Sequence, residues 1–245
     1  PIAVQIPIGA EDHFMGVVDL IKQKALIWKD DETGAKFEEL EIPFDLRAEA
    51  TNAREEMIES IANLDDEVAG TFLEGKEIGT DILIGALRRL CLQLKATPVL
   101  CGASFKNKGV QPLLDAIVRY LPSPMEVAEV TAHDPKDISK VLHLKPTASE
   151  NFAALVFKIM TNPFVGTMAY VRIYSGLMKK GEALSNSSKD RKERVGRLLR
   201  VHANQTEDVD VLGPGEIGAI VGLKFSTTGD TLCEPQNPVL LESIQ

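Results

Sequence analysis

Two stretches of this sequence carry residue types that could do chemistry. The first is residues 98–117, PVLCGASFKNKGVQPLLDAI. An apolar run, Pro98-Val99-Leu100-Cys101, breaks at the small residues Gly102-Ala103-Ser104. A basic loop, Lys106-Asn107-Lys108-Gly109, follows, and then Val110, Leu113, Leu114 and Ile117 at helical spacing. Strand, tight loop and helix is the order in which α/β proteins aim backbone N–H groups at a ligand. The second stretch is KDRKERVGRLLRVH, where Lys189, Arg191, Lys192, Arg194, Arg197 and Arg200 are interrupted only by Asp190 and Glu193 among the charged residues. Such a strip suits contacts with a phosphate backbone. Run as one strand, it would put Lys192, Arg194 and Arg200 on one face and Lys189, Arg191 and Arg197 on the other. Neither face would be purely cationic. A hairpin tip around 185–192 followed by a strand is the preferred reading.

Other chemistries find little support. The chain has no G-x-x-x-x-G-K-[ST] and no G-x-G-x-x-G, so the familiar phosphate cradles are missing from these residues. His13, His133, His143 and His202 lie far apart and form no Cys/His ligand set, so no metal is expected. Glu55, Glu56, Glu59, Asp65, Asp66 and Glu67 read as solvated helix faces. Cys101 reads as a buried strand residue with no acid–base partner. Tyr170 and Tyr174 sit in a core-like run, so no row of exposed rings is expected for base stacking. No complete acid/base, nucleophile or metal constellation emerges.

The elements that must position these residues change character along the chain. Residues 1–44 read as short strands, AVQIPIG, FMGVVDLI and KALIWK, with DDETGAKFEE as a hairpin tip. After Pro43, Met57, Ile58, Ile61 and Leu64 fall at helical spacing, and Gly70 and Gly75 predict a division into two helices. A further helix is expected with Thr80 as cap and Leu83, Leu87, Leu90 and Leu94 along one face. Residues 122–150 contain four prolines and no clear period, which predicts a linker. Beyond them come short β-prone runs separated by Gly, Pro, Asn and Asp, a barrel more readily than a sandwich. Gly176, Gly218, Gly222 and Gly229 are expected at its turns and bulges.

Length and charge agree with that division. The 245 residues suffice for one large domain or two ordinary ones. The net charge of −9 is uneven: −10 over residues 1–97, +7 over 158–200 and −6 over 201–245. A general nucleic-acid coat is excluded, whereas one local phosphate contact is not. Three scattered cysteines suit a reducing compartment. No apolar run approaches the roughly 20 residues of a membrane span, and no signal-peptide pattern is present. The opening PIAVQIPIG begins in mid-strand, so the chain is expected to be cut from a longer one.

Several motifs in order resemble the elongation factor G family of translational GTPases. QIPIGAEDHFMGVVDLIKQKALIW resembles the start of the insert within that family's guanine-nucleotide domain. PVLCGASFKNKGVQPLLDAIVRYLPSP resembles its last nucleotide-contact loop and following helix, and FAALVFKI, PFVGTMAYVRIYSG, GRLLRVHAN and GEIGAIVGLKFSTTGDTLC its β-barrel second domain. The resemblance implies an α/β (α+β) partial G domain with insert over 1–121, the insert filling about 1–97 and the contact loop and helix 98–121. A linker at 122–150 and an all-β translation-factor-type barrel at 151–245 would follow.

It also implies roles. Backbone N–H groups around Ala103, Ser104 and Phe105 would meet the guanine carbonyl oxygen in the full-length parent. The family more often reads Gly-Ser-Ala-Phe here, so a backbone contact carries over and a hydroxyl role does not. The parent would bind GTP or GDP with Mg2+ and couple GTP hydrolysis to tRNA–mRNA movement. This chain alone, lacking the phosphate cradle, is expected to bind no nucleotide and to be inactive: one base-edge loop offers on the order of 1 kcal/mol per hydrogen bond, less than association costs. Lys189, Arg191, Lys192, Arg194 and Arg197 would face small-subunit ribosomal RNA, and the insert would meet the ribosomal stalk protein. The expected compartment is the cytoplasm, with the mitochondrial matrix as the alternative. Competing readings are a paralogue that recycles or splits ribosomes, and a β-barrel binding module with no nucleotide history.

Overall fold

In the computed structural model of the chain, residues 1–29, 36–127, 129–162, 166–203 and 205–242 are described. They form two units, Pro1–Pro122 and Ser123–Gln245, each treated by itself.

The first unit opens with strands β1 (Ile2–Ala3), β2 (Gln5–Ile8), β3 (Gly16–Asp19), β4 (Lys24–Trp28) and β5 (Phe37–Leu40). Strands β2 to β5 make a four-stranded antiparallel meander in sequence order. Trp28 pairs with Phe37, so the expected hairpin exists, although most of its tip, residues 30–35, lies outside the described residues. Helices α1 (Arg47–Ala62), α2 (Asp66–Leu73) and α3 (Thr80–Leu92) follow, then β6 (Pro98–Val99) and α4 (Val110–Tyr120). Strand β6 returns to pair in parallel with β1, Ile2 opposite Pro98.

Helical periodicity places Met57, Ile61, Leu83, Leu87 and Leu90 in one core with Val18 and Leu20 of the sheet side. Arg54 fastens α1 to the chain after β3, its guanidinium donating to the carbonyls of Leu20 and Ile21. Three details differ from expectation. The division between the first two helices falls at Asp65, whose carboxylate accepts the N–H of Val68, while Gly70 lies inside α2. Gly79, not Thr80, is the residue before α3. Leu94 lies beyond the end of α3 in a left-handed conformation, φ 56°, and is 94% exposed rather than continuing the apolar face.

The second unit begins with β7 (Val130–Asp134) and β8 (Asp137–Leu144). These two strands occupy much of the expected linker and pair antiparallel as a hairpin. The pattern of β8 hid them: Ile138 and Val141 are exposed, and only Leu142 and Leu144 pack against buried residues, so the apolar alternation that marks a half-buried strand is short. Next come β9 (Ala153–Asn162), β10 (Gly166–Ser175), β11 (Met178–Lys179), β12 (Ala183–Asn186) and β13 (Arg191–Arg194). Then β14 (Arg197–His202), β15 (Gln205–Asp208), β16 (Val211–Leu212), β17 (Ile217–Val221), β18 (Thr231–Cys233) and β19 (Leu240–Leu241) complete the unit.

An eight-stranded antiparallel sheet runs β13-β12-β18-β9-β10-β17-β14-β15, the barrel-type wall expected from the sequence, and encloses a main buried cluster. Phe152, Val171, Ile173, Met178, Leu198 and Leu232 fill it. Strand β19 adds to β7 and completes a small three-stranded sheet. Two glycines show why the chain must be bare at close approaches. Gly176 takes φ +66°, and a Cβ there would sit 2.6 Å from the Phe152 backbone. Gly218 lies within β17 rather than at a turn, and its missing side chain makes room for Leu212.

Trp28 is the single tryptophan and is buried in the first unit, so its fluorescence reports unfolding there. Leu87→Ala is expected to lower the stability of this unit by about 2–5 kcal/mol in urea titrations followed at Trp28. Leu94→Ala should change it by no more than about 0.5 kcal/mol.

Candidate functional site

The loop after β6 is built by backbone pairing around a short turn. The Ala103 N–H donates to the Lys108 carbonyl at 2.9 Å, and the Lys108 N–H returns to the Ala103 carbonyl at 3.1 Å. Between them Ser104–Lys106 form one 3-10 turn, and Asn107 closes it in a left-handed conformation at φ 54°. Gly109 is left-handed too, and a Cβ on it would lie 2.8 Å from the Cys101 carbonyl oxygen. That approach lets the loop fold back on the strand it left.

Lys108 is nearly buried and donates from Nζ to the Phe14 carbonyl at 3.2 Å. Lys106 stays partly exposed, 3.9 Å from the Asp12 carboxylate. The Cys101 N–H donates to the Gln5 side-chain oxygen at 3.2 Å, tying the loop to β2.

Of the three residues expected to face a guanine, Ala103 already uses its N–H inside the loop. The turn leaves the amides of Ser104 and Phe105 at its open end, as every helical first turn does. The Phe105 side chain is fully exposed. Leu113, Leu114, Ile117 and Val118 of α4 and Val99 of β6 expose apolar side chains.

In the second unit the basic strip is divided. Strands β12 and β13 form the expected hairpin, Ser185 opposite Lys192 and Asn186 opposite Arg191. Buried Val195 and then Gly196 separate β13 from β14, so the one-strand arithmetic of faces does not apply. Arg191, Lys192 and Arg194 are exposed. Arg194 donates from Nε to the Gly181 carbonyl at 2.9 Å, and the Arg191 guanidinium lies over the Phe225 ring, 5.9 Å from its centroid.

The remaining cations are committed elsewhere. Lys189 Nζ donates to Thr227 Oγ1 at 2.6 Å and to the Phe225 carbonyl at 2.8 Å, and it sits 3.0 Å from the Asp230 carboxylate. Arg197 makes a two-pronged pair with Asp208 at 2.7 and 3.1 Å, and Arg200 reaches Glu216 at 2.8 Å. The hydrogen-bonded Asp208 partner raises the Arg197 pKa, and the same bond lowers that of Asp208.

Two carboxylates beneath the hairpin were not legible as site residues. Glu193 is buried on β13 and accepts the N–H groups of Lys224, Phe225 and Ser226 at 3.0, 2.7 and 3.0 Å, and the Ser226 hydroxyl at 3.0 Å. Asp230 is buried as well and accepts from Asn186 Nδ2 at 2.8 Å and from the Thr227 N–H at 2.8 Å. Burial pushes the Asp230 carboxyl up, but the bonds from Asn186, Thr227 and Lys189 outweigh it and leave its pKa below the ordinary value. For Glu193 the available signal was an acid inside a run of cations, which the strand pattern alone does not explain; Asp230 carried none.

Cys91, Cys101 and Cys233 are unpaired, and burial raises each thiol, the opposite of what a nucleophile needs. Among the described residues no group of three His, Cys, Asp or Glu side chains could hold a metal ion. No helix among them is long and apolar enough to cross a membrane.

Residues 151–235 match the family model of elongation factor G domain 2. The fold of nearly the whole chain is shared with a solved structure of a protein from Thermus thermophilus, with a TM-score of 0.74 at 23% identity over 97% of this chain. The match covers 32% of that protein, so the chain spans about a third of its length. The resemblance to elongation factor G is thus borne out at residues 151–235, and over the rest of the chain the likeness is one of fold alone.

Asp230 makes the barrel acid-sensitive. A carboxyl whose pKa is lowered by folding contributes stability in full above its unfolded value, 3.8, and loses it as the pH falls through the folded one. Asp230→Ala is expected to cost about 1–3 kcal/mol at pH 7, because Asn186 and Thr227 lose their acceptor. In urea titrations followed by circular dichroism, the gap between this variant and the unaltered chain should be constant above about pH 5 and shrink below about pH 4.

Proposed function

We propose that this chain is the middle part of a ribosomal translocase GTPase of the elongation factor G kind, which couples GTP hydrolysis to tRNA–mRNA movement. The observation that carries the reading is the elongation factor G domain 2 at residues 151–235, bearing an exposed cationic hairpin. On this reading Arg191, Lys192 and Arg194 contact the phosphate backbone of small-subunit ribosomal RNA. Lys189 and Arg197, held by Asp230 and Asp208, shape the hairpin and its neighbour instead.

In the first unit, the amides of Ser104 and Phe105 are the groups that would meet the guanine carbonyl oxygen. Ala103 would contribute by closing the loop. The residues of this chain do not fit the rest of a nucleotide: they include no phosphate-loop motif, and the described residues include no metal-ligand cluster. No step of phosphoryl transfer is therefore assigned to them; the GTP or GDP and Mg2+ belong to the parent. The exposed apolar face of α4 and β6 supports the same reading, since it is the face that the rest of a nucleotide-binding domain would cover. The stalk protein is the proposed partner of the insert, where Phe72 and Leu73 of α2 expose apolar surface. The proposed compartment is the cytoplasm.

Co-sedimentation of the chain with factor-free ribosomes across a salt series tests the reading. Binding should weaken steeply with salt, and reversing Arg191 and Arg194 together to Glu should weaken it at least tenfold. A fluorescent GTP analogue should show no binding. Ribosome binding indifferent to both salt and the reversals would remove the barrel hairpin from the interface.

A further inference from the structure

The second unit holds a cleft of about 280 Å³ to which the cationic hairpin contributes no residue. Pro124, Val127, Val130 and Pro146 supply apolar walls, and Arg172 and Tyr174 line it from β10. Each wall is fixed by contacts of its own. The backbone of Ile173, between those two residues, accepts the Gly215 N–H at 2.8 Å and donates to the Glu216 carbonyl at 3.1 Å, so the strand is stapled to the turn before β17. Gly215 takes φ +84°, and a Cβ on it would lie 2.3 Å from Pro124 Cγ, so that turn closes directly on the proline. Pro124 itself sits in a turn whose Ser123 N–H and hydroxyl both donate to the Glu126 carboxylate, at 2.9 and 2.8 Å. Val130 and Tyr174 rest against the small core of Ala132, Leu155 and Leu241. The cleft therefore exists before any ligand arrives, and filling it costs little ordering.

Its charge is as particular as its shape. Arg197 and Arg200 of the same sheet are each matched by a carboxylate. Arg172 is matched by none among the described residues; its guanidinium lies over the Tyr174 ring, 5.7 Å from the centroid. No acid among the described residues lines the cleft, and Glu126 is turned back to Ser123.

We propose that this cleft binds a small aromatic carboxylate, its ring against Pro124, Pro146 and Tyr174 and its anion on Arg172. Volume sets the size: an apolar cavity of about 150 Å³ holds benzene, so this one has room for a ring with a carboxylate and one further substituent. Charge sets the head group, because a guanidinium offers paired N–H donors that match the two oxygens of a carboxylate. A sugar or a phosphate ester would bring more polar surface than one cation and one phenol can satisfy. Binding here needs neither ribosome nor nucleotide, so it goes beyond the translational reading and is tested apart from it.

The test uses the 245-residue chain and 4-(trifluoromethyl)benzoate, whose fluorine resonance shifts and broadens on binding. Titration is expected to give a dissociation constant of about 1 mM or below, the range for a ligand of this size. The uncharged 4-(trifluoromethyl)benzyl alcohol should bind about fivefold more weakly, as loss of one exposed ion pair implies. Arg172→Gln should weaken the carboxylate by about the same factor and leave the alcohol unchanged. Arg172→Lys, which keeps the charge and loses the fork, should recover part of the loss. Val127→Trp, which fills the cleft from an exposed position, should abolish binding of both probes. Arg172 and Val127 are both exposed, and thermal melts confirm that each variant is folded. No binding at millimolar probe, equal affinity for acid and alcohol, or a carboxylate affinity indifferent to Arg172→Gln or to Val127→Trp would each overturn the site.

Discussion

A carboxylate buried in a protein must be surrounded by donors, and Asp230 imposes that requirement on the whole barrel end. Left bare, it would cost several kcal/mol; bonded, it dictates where its donors lie. Asn186 is fully buried and needs an acceptor of its own, so β12 must end against the loop that precedes β18. The Thr227 amide fixes the path of that loop, and Lys189 crosses from the hairpin to close the ring of donors. Glu193 repeats the arrangement one strand over. Polar groups thus decide the geometry here, while the apolar core around Val171 and Leu198 supplies the bulk of the burial.

The same logic divides the cations of the strip by task. A lysine or arginine that neutralises a nearby acid has lost much of its pull on a phosphate. Lys189, Arg197 and Arg200 are in that position, held by Asp230, Asp208 and Glu216. Arg191, Lys192 and Arg194 retain an outward field. Local charge in this protein is therefore a matter of which acid each base meets across the sheet. The sequence strip contains two acids, whereas three of its six cations have acidic partners that come from β15, the turn before β17 and the loop before β18.

How much of this could be read beforehand follows from range in sequence. The apolar spacing of Met57, Ile61, Leu83, Leu87 and Leu90 is local, and the helices and their shared core came out as the spacing implies. The barrel, with its turn residues and alternating runs, was equally legible. The hairpin β7–β8 was not, because in DISKVLHL only Leu142 and Leu144 pack against a core, too short a stretch to impose a pattern. Leu94 misled for the opposite reason: its spacing is right, but the helix has already ended at Leu92. At the candidate sites, Lys108 and Glu193 escaped notice because their partners, Phe14 and the 224–226 amides, are distant in sequence.

The parallel pairing of β1 with β6 has a kinetic meaning. Ile2 meets Pro98 only after nearly the whole first unit has been threaded between them, so a long loop must close before this contact returns anything. In the barrel, β9 with β10, β12 with β13 and β14 with β15 each join neighbours along the chain. Such hairpins form in microseconds and need no distant segment. The second unit adds distant pairings of its own, with Leu240 of β19 opposite His133 of β7 and Thr231 of β18 opposite Leu155 of β9. The strand pair that supports the Gly102–Gly109 loop belongs to the late steps of folding, after the local elements on either side have taken shape.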